Sequence, residues 1–168
     1  KNFAKDIRHY SSDIRYSAKY EINNLKVELY LNDEGPLTLD KFKKILKELH
    51  RLEQPNLPFK TYIKYLFNQP TKEKTDSYLG MILGEMYFCD VLVEKLINTK
   101  NIPCLNYLID HGWDMHRTME DGSSFLHLSD DIRITKLLLK HKVDINYANP
   151  FNGKTALSTA ISSNEVDN

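Results

Sequence analysis

Apolar residues recur every three or four positions over most of this chain, the spacing that gathers them on one side of a helix. Phe3, Ile7, Tyr10, Ile14, Ala18, Ile22, Leu25 and Leu29 predict one long helix from Asn2 to about Leu31, with Ser11-Ser12 and Asn23-Asn24 as places where it could break. Asn32-Asp33-Glu34-Gly35-Pro36 then joins turn formers to a pair that cannot continue a helix. A second stripe, Leu39, Phe42, Ile45, Leu46, Leu49 and Leu52, starts just after Thr38, a suitable N-cap. Tyr62, Ile63, Leu66 and Phe67 mark a short helix that must stop before Pro70. Residues 70–75 are polar and charged and read as the main internal linker. Asp76 or Ser77 can cap a helix to about Asn98 with Leu79, Ile82, Leu83, Met86, Val93 and Ile97 inward, and a shorter helix spans about Pro103 to His111. No segment alternates convincingly as a strand, residues 26–31 coming nearest, so the expected class is all-α.

Two landmarks recur at one period in the last third of the chain. Asp121-Gly122-Ser123-Ser124-Phe125-Leu126-His127 is echoed by Asn152-Gly153-Lys154-Thr155-Ala156-Leu157-Ser158, with Ser124 and Thr155 31 residues apart. Leu108-Ile109-Asp110-His111-Gly112-Trp113-Asp114-Met115-His116 returns as Leu138-Leu139-Lys140-His141-Lys142-Val143-Asp144-Ile145-Asn146, Gly112 and Lys142 being 30 apart. Chance similarity would not keep two separate landmarks in phase. A repeat of this length encodes a small unit that buries its apolar face only by stacking on its neighbours.

The pattern resembles the ankyrin repeat, a unit of about 33 residues with a turn, a T-P-L-H-x-A helix start, a second helix and a projecting finger. Ser124-Phe125-Leu126-His127-Leu128-Ser129 stands at the helix start, Thr135-Lys136-Leu137-Leu138-Leu139 at the second helix, and Val143-Asp144-Ile145-Asn146 at the finger. Thr155-Ala156-Leu157-Ser158-Thr159-Ala160 opens the next unit. The resemblance covers about residues 100–161 and implies an N-terminal helical cap or fused domain (1–75) followed by ankyrin-like units at about 76–117, 118–149 and 150–168, the last truncated. It implies structural roles for Gly112, Asp114, Gly122, Leu126, His127, Leu138, Asp144, Asn146, Gly153, Thr155 and Leu157, with His127 holding loop backbone together. Three departures stand out. The middle unit is two or three residues short between Ser129 and Ile134, so its first helix or the following turn should be trimmed. Lys142 replaces a glycine that often takes a left-handed conformation, and Trp113 replaces an alanine. Leu126, Leu137, Leu138, Val143 and Ile145 are expected to form one buried layer, and residues 152–168 to be half a unit.

Charge narrows the function. Lys and Arg total 23 and Asp and Glu total 23, so no global field draws the chain to nucleic acid or an anionic membrane. The longest apolar stretch, around residues 79–84, is far short of a membrane helix, and two cysteines give no disulfide or zinc framework, which fits a cytoplasmic location. The chain opens on Lys1, so targeting signals are not read from its start. Lys41, Lys43, Lys44, Lys47 and Arg51 could form a basic docking face, but the intervening Glu48 and Glu53 favour a solvated helix face. His111, Asp114 and His116 match no zinc spacing. Cys104 at a helix N-terminus, with His111 on the same face, has the elements of a nucleophile but no orienting acid, and a buried structural thiol is the stronger reading. The chain has no phosphate loop, nucleophile elbow or H-E-x-x-H motif, so no cofactor, metal or small-molecule substrate is expected.

The resemblance implies a non-enzymatic protein-interaction module that binds another protein through its concave face and fingers. His116, Arg117, Met119 and Glu120 on the first finger and Tyr147, Asn149 and Phe151 on the second are the candidate contacts, being types of side chain and positions the scaffold does not require. The competing reading has Tyr147 and Phe151 packed on adjacent fingers and Arg117 solvated. Diverged, shortened repeats also resemble ankyrin effectors delivered against host proteins. A different class of function, the noncatalytic targeting arm of an enzyme whose active domain lies elsewhere or in residues 1–75, remains open at this point.

Overall fold

A computed structural model describes residues 3–31, 35–68 and 88–165, and these residues form seven α-helices and one turn of 3-10 helix. They are α1 (Phe3–Leu31), α2 (Leu39–Glu53), α3 (Phe59–Phe67), α4 (Phe88–Asn98), α5 (Ile102–Asp110), the 3-10 turn (Phe125–Leu128), α6 (Ile132–Lys140) and α7 (Ala156–Glu165). Among the described residues there is no strand, only two isolated bridges, so the all-α class stands. The linker expected at 70–75 and the Leu79, Ile82, Leu83 and Met86 stretch lie outside the described residues. No described helix is long and apolar enough to cross a membrane.

The N-terminal helices form where the stripes put them. α1 is continuous through Asn23-Asn24, and α2 begins at Thr38, whose hydroxyl accepts from Lys41 N at 3.2 Å. Phe42, Ile45, Leu46 and Leu49 of α2 and Tyr62, Ile63, Leu66 and Phe67 of α3 are buried in one core with Leu29 of α1. The charged rim of α2 is tied to its neighbours: Lys41 reaches Glu28 at 3.3 Å, Arg51 pairs with Glu48 and Glu21, and Lys43 lies over the Tyr107 ring. One polar cluster sits inside the core. Lys26, 2% exposed, places its Nζ 3.0 Å from Glu53, whose other carboxylate oxygen accepts from the Tyr62 hydroxyl at 2.7 Å. That bond connects α1, α2 and α3, and burial together with the Glu53 charge holds the Tyr62 phenol well above its ordinary pKa.

Beyond Phe88 the elements are short and stack in order. α4 packs on α1 and α3, α5 on α4 and α2, the 3-10 turn on α4 and α6, and α7 on the 3-10 turn. The element at Phe125–Leu128 is a single turn of four residues. Trp113 is buried edge-on against Phe125, ring centroids 5.0 Å apart. Its indole Nε1 has no hydrogen-bond acceptor among the described residues.

Three helices end in the same way. Asn101, Trp113 and Val143 N–H groups return to the carbonyls of Leu96, Leu108 and Leu138, while Lys100, Gly112 and Lys142 N–H groups bond Ile97, Ile109 and Leu139 carbonyls. This doubly bonded C-cap needs a left-handed residue, and the φ values are +58° at Lys100, +89° at Gly112 and +63° at Lys142. Lys142 therefore keeps the corner that glycine normally makes and carries the strain of a Cβ there.

The expected buried layer needs one correction. Leu126, Leu138 and Val143 are buried and Leu137 is partly so, but Ile145 is 54% exposed and Ile134 takes the fully buried place on α6. The counterpart of Ile145, Met115, is 5% exposed. Leu138→Ala is expected to lower stability by about 2 to 5 kcal/mol in denaturant titration, as for other buried leucines. Lys142→Gly should raise stability by about 0.5 to 1 kcal/mol, since relief of left-handed strain exceeds glycine's extra entropy in the unfolded chain. A fall in melting temperature would contradict the assigned corner.

Candidate interaction surface on the finger loops

Two loops with matching bonds project between the stacked helices. In the first, Asp114 Oδ1 accepts from His116 N at 3.0 Å and Asp121 Oδ1 from Ser123 N at 2.9 Å. In the second, Asp144 Oδ1 accepts from Asn146 N at 2.9 Å and Asn152 Oδ1 from Lys154 N at 2.9 Å. Short Asp and Asn side chains do this by bonding their own backbone two residues on, which fixes each turn locally. Each loop then closes on itself: Met119 N donates to Ser123 O at 2.8 Å and Asn149 N to Lys154 O at 2.8 Å. Gly122 and Gly153 sit at positive φ where the loops reverse. A Cβ on Gly122 would lie 2.7 Å from the Phe151 ring, so glycine is also what lets the second loop approach the first.

His127 joins the loops. Its Nδ1 accepts from Ser124 N at 3.3 Å and lies 2.8 Å from Ser124 Oγ, while Nε2 lies 3.0 Å from Lys154 O. With Nδ1 accepting, the proton belongs on Nε2, which donates to the next loop's carbonyl. Ser158, its counterpart, exchanges bonds with Thr155 at 2.9 and 3.3 Å but has no second arm.

Several side chains expected to face a partner are internal ties. Arg117 donates through Nη1 to Phe67 O at 2.6 Å and pairs through Nη2 with Asp90 at 3.1 Å, both side chains 13% exposed. It is neither solvated nor free for a partner. Asn68 reinforces the junction, donating to Gly112 O at 2.9 Å and accepting from Asp114 N at 2.8 Å. Asn149 is buried, donating to Asp121 O at 2.8 Å and accepting from Phe151 N at 2.8 Å. Tyr147 donates its hydroxyl to Gly122 O at 3.0 Å, and Met119 is partly buried against the core. These roles depend on partners 25 to 50 residues away, which no local pattern displays. What remains outward is His116, Glu120 and Phe151, the last 76% exposed although one ring edge rests on Gly122.

Burial pushes the Cys104 thiol up to about 11, so it is protonated at neutral pH, and His111 is turned to its own helix with Nδ1 2.7 Å from Tyr107 O. Cys89 is buried and its thiol is raised further, chiefly by burial. Among the described residues no group of three or more His, Cys, Asp or Glu side chains could hold a metal ion.

Arg117→Ala is expected to cost about 3 kcal/mol in chemical denaturation because it removes a largely buried ion pair and the bond to Phe67 O together, whereas His116→Ala should change stability by less than about 0.5 kcal/mol. Equal effects of the two changes would mean the ion pair does not anchor the finger. Compared with known proteins, the chain matches no family model, no curated protein and no solved structure.

Proposed function

We propose that this chain is a non-enzymatic protein-interaction module, an ankyrin-like array of short units on an N-terminal helical cap, which binds another protein with the tips of its finger loops. The observation that carries this reading is the division of labour within the fingers. Arg117, Asn149, Tyr147 and His127 fix the loop backbone from inside, and His116, Glu120 and Phe151 stand outward on it. Rigid loops with outward side chains lose little conformational entropy on binding, which is the condition for a contact surface of modest size. Phe151 is the natural anchor, an exposed aromatic that gains most from being covered by a partner's pocket, and His116 and Glu120 supply polar contacts around it.

The α2 rim supports the same reading by default, since Lys41, Lys43 and Arg51 are engaged with α1, with α5 and within α2. Quantitative affinity capture with the wild-type chain and with Phe151→Ala combined with Glu120→Lys tests the proposal. The double change should weaken a captured partner at least tenfold, about 1.4 kcal/mol, with the far-ultraviolet circular dichroism unchanged. Capture that survives this change but is lost on replacing Lys44 and Lys47 would move recognition to the N-terminal helices and refute the finger-tip assignment.

A further inference from the structure

We propose that Asn152 is a site of spontaneous covalent modification: in the folded second finger its side chain cyclises onto Gly153 and is opened by water to aspartate or isoaspartate. The dipeptide Asn-Gly occurs once in the sequence, at these two residues. Glycine leaves its own nitrogen open to attack on the side chain before it, whereas Asn149, three residues earlier, precedes Pro150, which has no N–H to give up. The turn that closes the finger sets up the ring. Asn152 Oδ1 accepts from Lys154 N at 2.9 Å, a bond that forms only with the side chain folded back along the Gly153 peptide. The side-chain carbonyl carbon is thereby held beside Gly153 N, and the Lys154 N–H is aimed at the oxygen on which negative charge develops during the attack. Both residues are exposed, and Gly153 has open space where a Cβ would stand, so water and base reach the turn.

The first finger makes the same turn with a different outcome. Asp121 presents a carboxylate, a poor electrophile, with both oxygens bonded to Ser123, and Gly122 is buried beneath the Phe151 ring. The step at Asn152 needs no oxidant or reductant. Gly153 N bonds to Cγ, the Cγ–Nδ2 bond breaks, and Nδ2 leaves as ammonia with the proton that Gly153 N gives up. Water then opens the five-membered imide at either carbonyl, giving an aspartate at one and a main chain routed through Cβ at the other. One restraint opposes the reaction: Gly153 N donates to Asn149 O at 2.7 Å and must leave that bond. An exposed bond of this kind slows the step by a factor of about ten at most. The two products differ in effect. Aspartate adds a negative charge beside Phe151 and keeps the turn, as Asp121 does. Isoaspartate lengthens the main chain before Lys154, whose carbonyl accepts from Asn149 N and meets His127 Nε2, so it loosens the tie between the fingers.

The inference does not rest on partner binding at the finger tips. Its test is to age the folded 168-residue chain in neutral and mildly alkaline buffer beside Asn152→Gln and a synthetic peptide of residues 149–157. Peptide mapping by mass spectrometry should find a gain of one mass unit at residue 152, faster as hydroxide rises. The rate should lie within about tenfold of the peptide's, which the small unfolded population cannot supply. Asn152→Gln should show no gain at that residue, because its longer side chain would have to close a larger ring. No gain in the wild-type chain, a gain confined to other asparagines, or a rate more than about tenfold below the peptide's would each overturn the proposal.

Discussion

A helix of nine residues carries one apolar stripe and cannot bury it alone. That constraint governs everything beyond Phe88: α5 and α6 are nine residues each and the element between them is a single turn. Helices this short are marginal in water even with good sequences, so their stability comes from the faces of their neighbours. The packing order follows, each element covering the one before, and so does the tolerance of a single turn in the stack. Four residues suffice there because Phe125 and Leu126 meet Trp113 and α7 rather than one another. Within the stack, α4 is covered by the long α1 and by α3, and Leu157 and Ile161 of α7 are exposed.

The N-terminal helices contribute more than a lid. Arg117 reaches from the first finger to Phe67 O at the end of α3 and to Asp90 on α4, and Asn68 holds the backbone at Gly112 and Asp114. The junction is held by polar bonds as well as by apolar packing. An apolar contact tolerates sliding, but three directed bonds to backbone groups and one ion pair do not. Lys26 has the same part within the cap, where its bond to Glu53 sets α1 against α2 and Tyr62 brings in α3. A buried ion pair of this kind adds little net stability compared with apolar side chains of similar volume, and its breakage is costly; here we read its value as fixing which helix faces meet.

What the sequence made legible was local. The stripe from Leu39 to Leu52 places α2 within a residue, and Thr38 caps it. Both fingers show the Asp and Asn pattern in their turns, because an Asx turn needs only its own next two residues. Facts that depend on distance in the chain were not legible. Arg117 has the composition of a contact residue, and only the fold brings Phe67, 50 residues earlier, against its guanidinium. Asn149 looked like a finger tip and is buried under Asp121 and Ser123. Lys26 lies beside the Ile22, Leu25 and Leu29 stripe, and its charge gave no sign that it is among the most buried side chains of the described residues.

These reassignments sharpen what a contact surface on the fingers requires. A loop whose outward side chains were held only by its own turns would fray, since an isolated turn is closed by one or two exposed bonds. The second finger has cross-ties in addition, from Tyr147 and Asn149 to the first finger and from Lys154 O to His127. Glycine at position 122 lets Phe151 settle against that first finger, which restricts the ring without covering it. An aromatic that is already oriented and still exposed loses little freedom on binding and retains its apolar area to be buried. The side chains that seemed free for a partner thus turn out to hold in place the few that are.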